Sequence, residues 1–103
     1  MKTLEKDDVV VLSDSTIIRE EVIGSGHIFY RIMKTNVVIE NQPECVYGLE
    51  IESTLFGVKE TATVNDVSTK FELVNQLFEM AVQNMVLPCT LKDVTYDFLV
   101  ANY

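Results

Sequence analysis

"DVSTKFELVNQLFEMAVQNM", residues 66–85, is where the texture of the chain changes. Before it, Val, Ile and Thr alternate with polar residues in short runs. Within it, Val74, Leu77, Phe78, Ala81 and Met85, with Phe71 behind them, recur at three- and four-residue spacing. That spacing lays an apolar stripe along one side of an α-helix, and such a stripe has to be buried against another element. Thr69, three residues ahead of Glu72, has the spacing of a capping box, in which each side chain satisfies a backbone N–H at the helix start. The change of period near Asn65 therefore divides the chain into strands followed by helices, which makes the fold class α+β.

Downstream, "NMVLPCTLKDVTYDFL" (84–99) breaks once, at Pro88. Proline has no N–H and biases Leu87 away from the α region, so the first helix ends before it. Thr90, three residues before Asp93, marks a new start, with a hydroxyl cap and a first-turn carboxylate. Leu91, Val94 and Phe98 then share one face of a second, shorter helix. The stretch reads as a helix–turn–helix joint that folds this helix back on the core.

Upstream, "VVVL" (9–12) and "STIIREEVI" (15–23) read as strands, and "GSG" (24–26) as a hairpin turn, since glycine reaches positive φ cheaply. "HIFYRIMK" (27–34) sets Ile28, Tyr30 and Ile32 on one face and His27, Phe29, Arg31 and Met33 on the other. "NQP" (41–43) marks the next break. In "CVYGLEIES" (45–53), Cys45, Tyr47, Leu49 and Ile51 alternate with Gly48, Glu50 and Glu52, so one face is core and the other wet. A turn at Phe56 and Gly57 leads into "VKETATV" (58–64), where Val58, Ala62 and Val64 form an apolar row that Glu60 interrupts. The economical arrangement is an antiparallel meander of four or five strands with two C-terminal helices packed on one face. The whole chain, 1–103, is expected to be one domain, the order of about the first fourteen residues being left open.

Composition narrows the function classes. The chain is 48% hydrophobic and 23% charged, which is ordinary globular usage. Its net charge of −8 is spread evenly: residues 1–52 carry 5 basic and 10 acidic side chains, and residues 53–103 carry 3 and 6. Phosphate neutralisation by Lys and Arg supplies most non-specific nucleic-acid affinity, so neither nucleic acid nor an anionic membrane surface is an expected partner. Cys45 and Cys89 form no C-x-x-C pair, the first residues do not resemble a signal peptide, and no apolar run approaches the ~20 residues that span a bilayer. A cytoplasmic protein with reduced thiols is the expectation.

Sites of chemistry are scarce. Asp93 and Asp97 lie one helical turn apart, but no His or Cys completes a ligand set, so a solvated face is expected rather than a metal. Glu50, Glu52 and Glu60, with Glu20 and Glu21, read as an acidic outer sheet face, which lacks the dry concave setting that carboxylate catalysis requires. His27 is the single histidine, and pairing it with Cys45 or Cys89 would depend wholly on folding. "GSGHIF" (24–29) lacks the third glycine of the dinucleotide motif and leads into a strand. No catalytic residue, metal ligand or cofactor is expected.

"VYGLEI" (46–51), "NDVST" (65–69) and "NMVLPCTLKDVTYDFL" (84–99) together resemble a family of small proteins of unknown function from the Firmicutes. The resemblance rests on Tyr47 and Gly48, on Asp66 and Ser68, and on Asn84, Val86, Pro88, Leu91, Asp93, Val94, Asp97, Phe98 and Leu99, covering about residues 45–99. Members of that family often carry His at the position of Thr90, so the resemblance implies no site built on a histidine there. It implies no activity either.

The expected function is a non-catalytic protein-interaction or regulatory module, with a protein partner or a second copy meeting Phe29, Met33 and Phe56. The alternative is a small-ligand domain with its pocket between sheet and helices at Tyr30, Tyr47 and Cys89.

Overall fold

The computed structural model describes residues 9–11 and 15–102. The strands are β1 (Val9–Val11), β2 (Thr16–Ile23), β3 (Ile28–Ile39), β4 (Gln42–Leu55) and β5 (Val58–Ser68). Helix α1 (Phe71–Gln83), a single 3₁₀ turn (Pro88–Thr90) and helix α2 (Leu91–Ala101) follow. All strand pairs are antiparallel. β2, β3, β4 and β5 form a meander, and β1 shares with β2 the same edge of β3. The α+β meander with two C-terminal helices packed on one sheet face is the architecture read from the sequence. Leu12 and the question of order in the first fourteen residues fall largely outside the described residues.

Two tight turns hold the register. Glu40 and Asn41 both adopt positive φ (51° and 65°) between the paired residues Ile39 and Gln42. Phe56 and Gly57 do the same (54° and 76°) between Leu55 and Val58. Two consecutive left-handed residues make the hairpin turn whose twist matches the strands it joins. The break expected at Asn41–Pro43 thus lies one residue earlier, and Pro43 sits inside β4 opposite Val38. β5 pairs β4 only from Tyr47 onward, so at Pro43 the strand has, among the described residues, a free edge where a missing donor is tolerated.

One core fills the space between sheet and helices. Ile28, Tyr30 and Ile32 of β3 and Leu49 and Ile51 of β4 meet Val74, Leu77, Phe78 and Ala81 of α1, with Val86 and Leu91 closing the end. α1 buries one apolar stripe, as its spacing requires.

Four local expectations need correction. β5 does not end near Asn65 but runs to Ser68, because a bulge in β5 opposite Gly48 lets Val64 pair with Leu49 while Ser68 pairs with Tyr47. The strand pairing keeps the chain extended through Ser68, so α1 begins at Phe71 with Lys70 as its N-cap and the Thr69–Glu72 capping box does not form. Instead, Ser68 Oγ accepts the Lys70 N–H at 3.0 Å. At the far end Met85 leaves the apolar stripe: it is 56% exposed with φ 50°. There it serves as the left-handed residue of a Schellman motif, with Val86 N–H bonded to Ala81 O (3.0 Å) and Met85 N–H to Val82 O (3.2 Å). Thr90 likewise does not cap α2 with its hydroxyl, which donates to Leu87 O at 3.2 Å within the 3₁₀ turn.

Gly48 is the residue that makes the bulge possible. A β-carbon there would overlap the carbonyl oxygens of Val64 and Asn65 and lie 2.6 Å from the Asn65 carbonyl carbon. These are backbone atoms of the adjacent strand, so no rotamer change relieves the overlap. Gly48→Ala is expected to cost about 3 kcal/mol or more, lowering the melting midpoint by more than ~10 °C in a thermal unfolding scan. Met85→Gly should act in the opposite direction, because glycine takes the left-handed position without a Cβ penalty, and the midpoint should rise by a few degrees for a gain of about 0.5–1 kcal/mol.

Candidate functional site

The two sheet faces and the two sheet edges differ in what they offer. On the face away from the helices, one row of side chains crosses the whole meander: Glu20 of β2 pairs with Arg31 of β3, Arg31 with Glu50 of β4, and Glu50 with Thr63 of β5. The row is hydrogen-bonded throughout. Arg31 Nε donates to Glu20 Oε2 (2.6 Å), Arg31 Nη1 to Glu50 Oε1 (2.9 Å) and Thr63 Oγ1 to Glu50 Oε2 (3.0 Å). Glu52 joins from the side, 3.1 Å from Arg31 Nη1 and 3.6 Å from Lys59 Nζ. Beneath the guanidinium lies Phe29, with the ring centroid 5.0 Å from the Arg31 Cζ.

This geometry favours charge neutralisation over catalysis. The hydrogen bond to Glu20 raises the Arg31 pKa against the opposing effect of burial, with the bonds to Glu50 and Glu52 adding to it. The Arg31 hydrogen bond in turn holds the Glu52 carboxyl below its ordinary range, and Lys59 helps. A carboxylate kept ionised beside an arginine is a weaker proton acceptor than a free one, the reverse of what a general base requires. Glu21 and Glu60, expected on the same face, are not there. They pair with Tyr30 and Ser53, and strict alternation puts them on the helix side of the sheet.

On that helix side a second arginine seals the core. Arg19 donates to Asn75 Oδ1 and, at 3.0 Å, to Glu79 Oε1 of α1, and its Cζ lies 4.5 Å from the Phe78 ring centroid. No sequence feature marked it, since Arg19 and Asn75 lie 56 residues apart.

The residues expected to form a pocket have separate duties. Tyr30 is fully buried in mid-sheet and its hydroxyl donates to Val86 O at 3.0 Å. Burial alone raises its pKa. Tyr47 packs edge-to-face on Phe71, with ring centroids 5.6 Å apart. Cys89 is exposed in the 3₁₀ turn. His27 is exposed in the β2–β3 turn, while Cys45 donates to Asn36 Oδ1 (3.2 Å) at the other end of β3. Eight residues of strand separate Ile28 from Asn36, about 26 Å, so His27 and Cys45 are not brought together. Asp93 and Asp97 are exposed on α2, and among the described residues no cluster of three or more His, Cys, Asp or Glu side chains could hold a metal. Within α2, Thr95 buries a hydroxyl that has no partner among the described residues.

Phe29, Met33 and Phe56 do not form one patch. Phe29 and Met33 are half-buried on the outer face, and Phe56 is fully exposed at the tip of the β4–β5 turn. Their separation follows from the register, since Phe29 pairs with Glu52 and Met33 with Gly48, leaving Phe56 beyond both. Exposed apolar side chains occur instead along the edges: Ile17, Ile18 and Val22 on β2, and Val58 at the start of β5. Tyr96 and Val100 are exposed on α2.

The hydrogen bond that lowers the Glu52 pKa has a pH signature. A carboxylate whose folded pKa is depressed adds stability that is complete above its unfolded value and disappears as the pH falls through the folded one. Glu52→Gln should therefore melt below the wild type at neutral pH. The gap should close on acidification from the ordinary carboxylate range downward, as read in melting curves of both proteins from pH 7 to pH 2.

No described helix is long and apolar enough to cross a membrane. No curated protein and no solved structure matches the chain. The model of a family of unknown function, DUF6514, matches residues 10–101, taking in the N-terminal strands as well as the Tyr-Gly strand and the helical joint, and the chain belongs to that family.

Proposed function

We propose that the protein is a non-catalytic interaction module of the cytoplasm that takes up a strand from a partner polypeptide along an open edge of its sheet. The observation that carries this reading is β5. Among the described residues it is the last strand of the sheet, it is mostly exposed from Val58 to Asp66, and it begins beside the fully exposed Phe56 and the exposed Val58. An edge strand presents unpaired N–H and C=O groups in extended form, and a polypeptide that adds to it gains main-chain hydrogen bonds while apolar side chains at the rim supply selectivity. The even acidic charge supports a protein rather than a nucleic acid or an anionic membrane as partner. The small-ligand reading has less support, because the one hydroxyl proton of Tyr30 is already donated to Val86 O.

Native mass spectrometry of tagged protein recovered gently from its own cells tests the proposal. The expected spectrum carries the additional mass of a polypeptide, either a second copy or another chain, and Phe56→Asp/Val58→Asp loses it. Wild-type protein recovered bare would overturn the proposal. Small-molecule mass in its place would put the ligand reading first.

A further inference from the structure

The two edges of the sheet are not equivalent, and their difference identifies a partner. In β2 the pairing is interrupted between Ile17 and Arg19, and the residues that follow are Arg19, Glu20 and Glu21. When a sheet continues across a two-fold axis perpendicular to it, residues of like facing meet, so the axis passes through a residue paired with its own copy. An axis at Arg19, Glu20 or Glu21 would set like charges directly opposite one another, which opposes pairing. A bulge and a run of charges are also the devices by which proteins keep an edge unpaired.

β5 carries neither device over Val58–Val64, the regular stretch between the turn at Gly57 and the bulge opposite Gly48. Its midpoint is Thr61. An axis there pairs Thr61 with Thr61 of the second copy, Glu60 with Ala62, Lys59 with Thr63, and Val58 with Val64. No like charges lie directly opposite one another, β-branched residues face each other at the centre and at both ends, and the regular segment is used in full. Lys59 would also approach the acidic row of the other copy, where Thr63 already donates to Glu50.

We infer that the partner on the β5 edge is a second copy of this chain, joined antiparallel about a two-fold axis at Thr61 into one continuous sheet. This rests on the strand-addition reading above and names its occupant. Seven paired residues bury less than a standard interface of ~1,600 Å². Association is therefore weak and dependent on protein concentration. Each copy carries a charge of −8, so added salt strengthens the dimer by screening the repulsion.

Sedimentation of the purified full chain over a range of concentrations and at low and high salt is the first test. It should give a monomer–dimer equilibrium that shifts toward dimer with salt. Cross-linking tests the register. With Cys45 and Cys89 replaced by Ser, Thr61→Cys should form an intermolecular disulfide in oxidised glutathione, because directly opposite Cα atoms lie about 4.5–5.5 Å apart. Thr63→Cys should not, its copy lying ~13 Å away along the strand. Thr63→Lys, which sets lysine opposite Lys59, should weaken the dimer roughly tenfold, the pair occurring twice. Adding Lys59→Glu should restore it.

A monomer at every concentration and salt overturns the inference, as does equal cross-linking at residues 61 and 63. If the purified chain is monomeric while protein from cells carries a different polypeptide, the interaction reading stands and the second copy is wrong. If protein from cells is also bare, both fail.

Discussion

The close approach of the β5 backbone to Gly48 is the constraint on which the rest of the structure depends. At this point β4 has no side chain on its outer face, and the carbonyls of Val64 and Asn65 occupy the space. That contact permits the bulge, and the bulge moves the pairing two residues along, from Val64 opposite Leu49 to Ser68 opposite Tyr47. Val67, within the bulged stretch, is buried in the core, and the strand ends just before α1 begins. Tyr47, one residue before the glycine, packs on Phe71 at the first position of that helix. The Tyr-Gly pair thus has a geometric role: the glycine admits the neighbouring strand, and the tyrosine meets the helix that the strand leads into.

The other end of α1 is tied to the sheet by a buried hydrogen bond. Tyr30 reaches from the middle of β3 to the carbonyl of Val86, directly after the left-handed Met85. A buried carbonyl at a helix exit needs a donor, and a tyrosine gives one while filling the core with its ring. The Schellman bonds reverse the chain, the tyrosine anchors the reversal to the sheet, and Pro88, buried in turn, starts the 3₁₀ step into α2. The stretch from Asn84 to Leu99 is therefore the joint that its pattern suggested, although its fixing points are backbone groups and one distant side chain.

What was legible in the sequence is whatever depends on period alone. Alternation placed Ile28, Tyr30 and Ile32 on one face of β3, three- and four-residue spacing placed Val74, Leu77, Phe78 and Ala81 in the core, and Pro88 divided the helices. What was not legible depends on register between distant segments. The capping box at Thr69 has the right spacing but lies where strand pairing still holds the chain extended. Met85 continues the helical stripe by count, yet the helix has ended two residues earlier. Charge alone groups Glu21 and Glu60 with Glu20, Glu50 and Glu52, and the pleat separates them. The row from Glu20 to Thr63 and the Arg19 contacts to α1 required a register that no local pattern encodes.

Both arginines lie in the β2–β3 hairpin, one on each sheet face, and each covers an aromatic ring while binding carboxylates: Arg19 over Phe78 and Arg31 over Phe29. Guanidinium suits this double role, because its plane stacks while its edge donates in several directions. Placing both cations here gathers the acidic side chains of β2 and β4 toward the β3 side of the sheet. On the outer face, β5 contributes Lys59, Thr61 and Thr63, with no carboxylate of its own between the turn and the bulge. The edge that lacks a bulge over its regular length is thus also the one with the least negative charge on its outer face. For a chain as acidic as this one, that combination makes β5 the place where another strand meets the least electrostatic resistance.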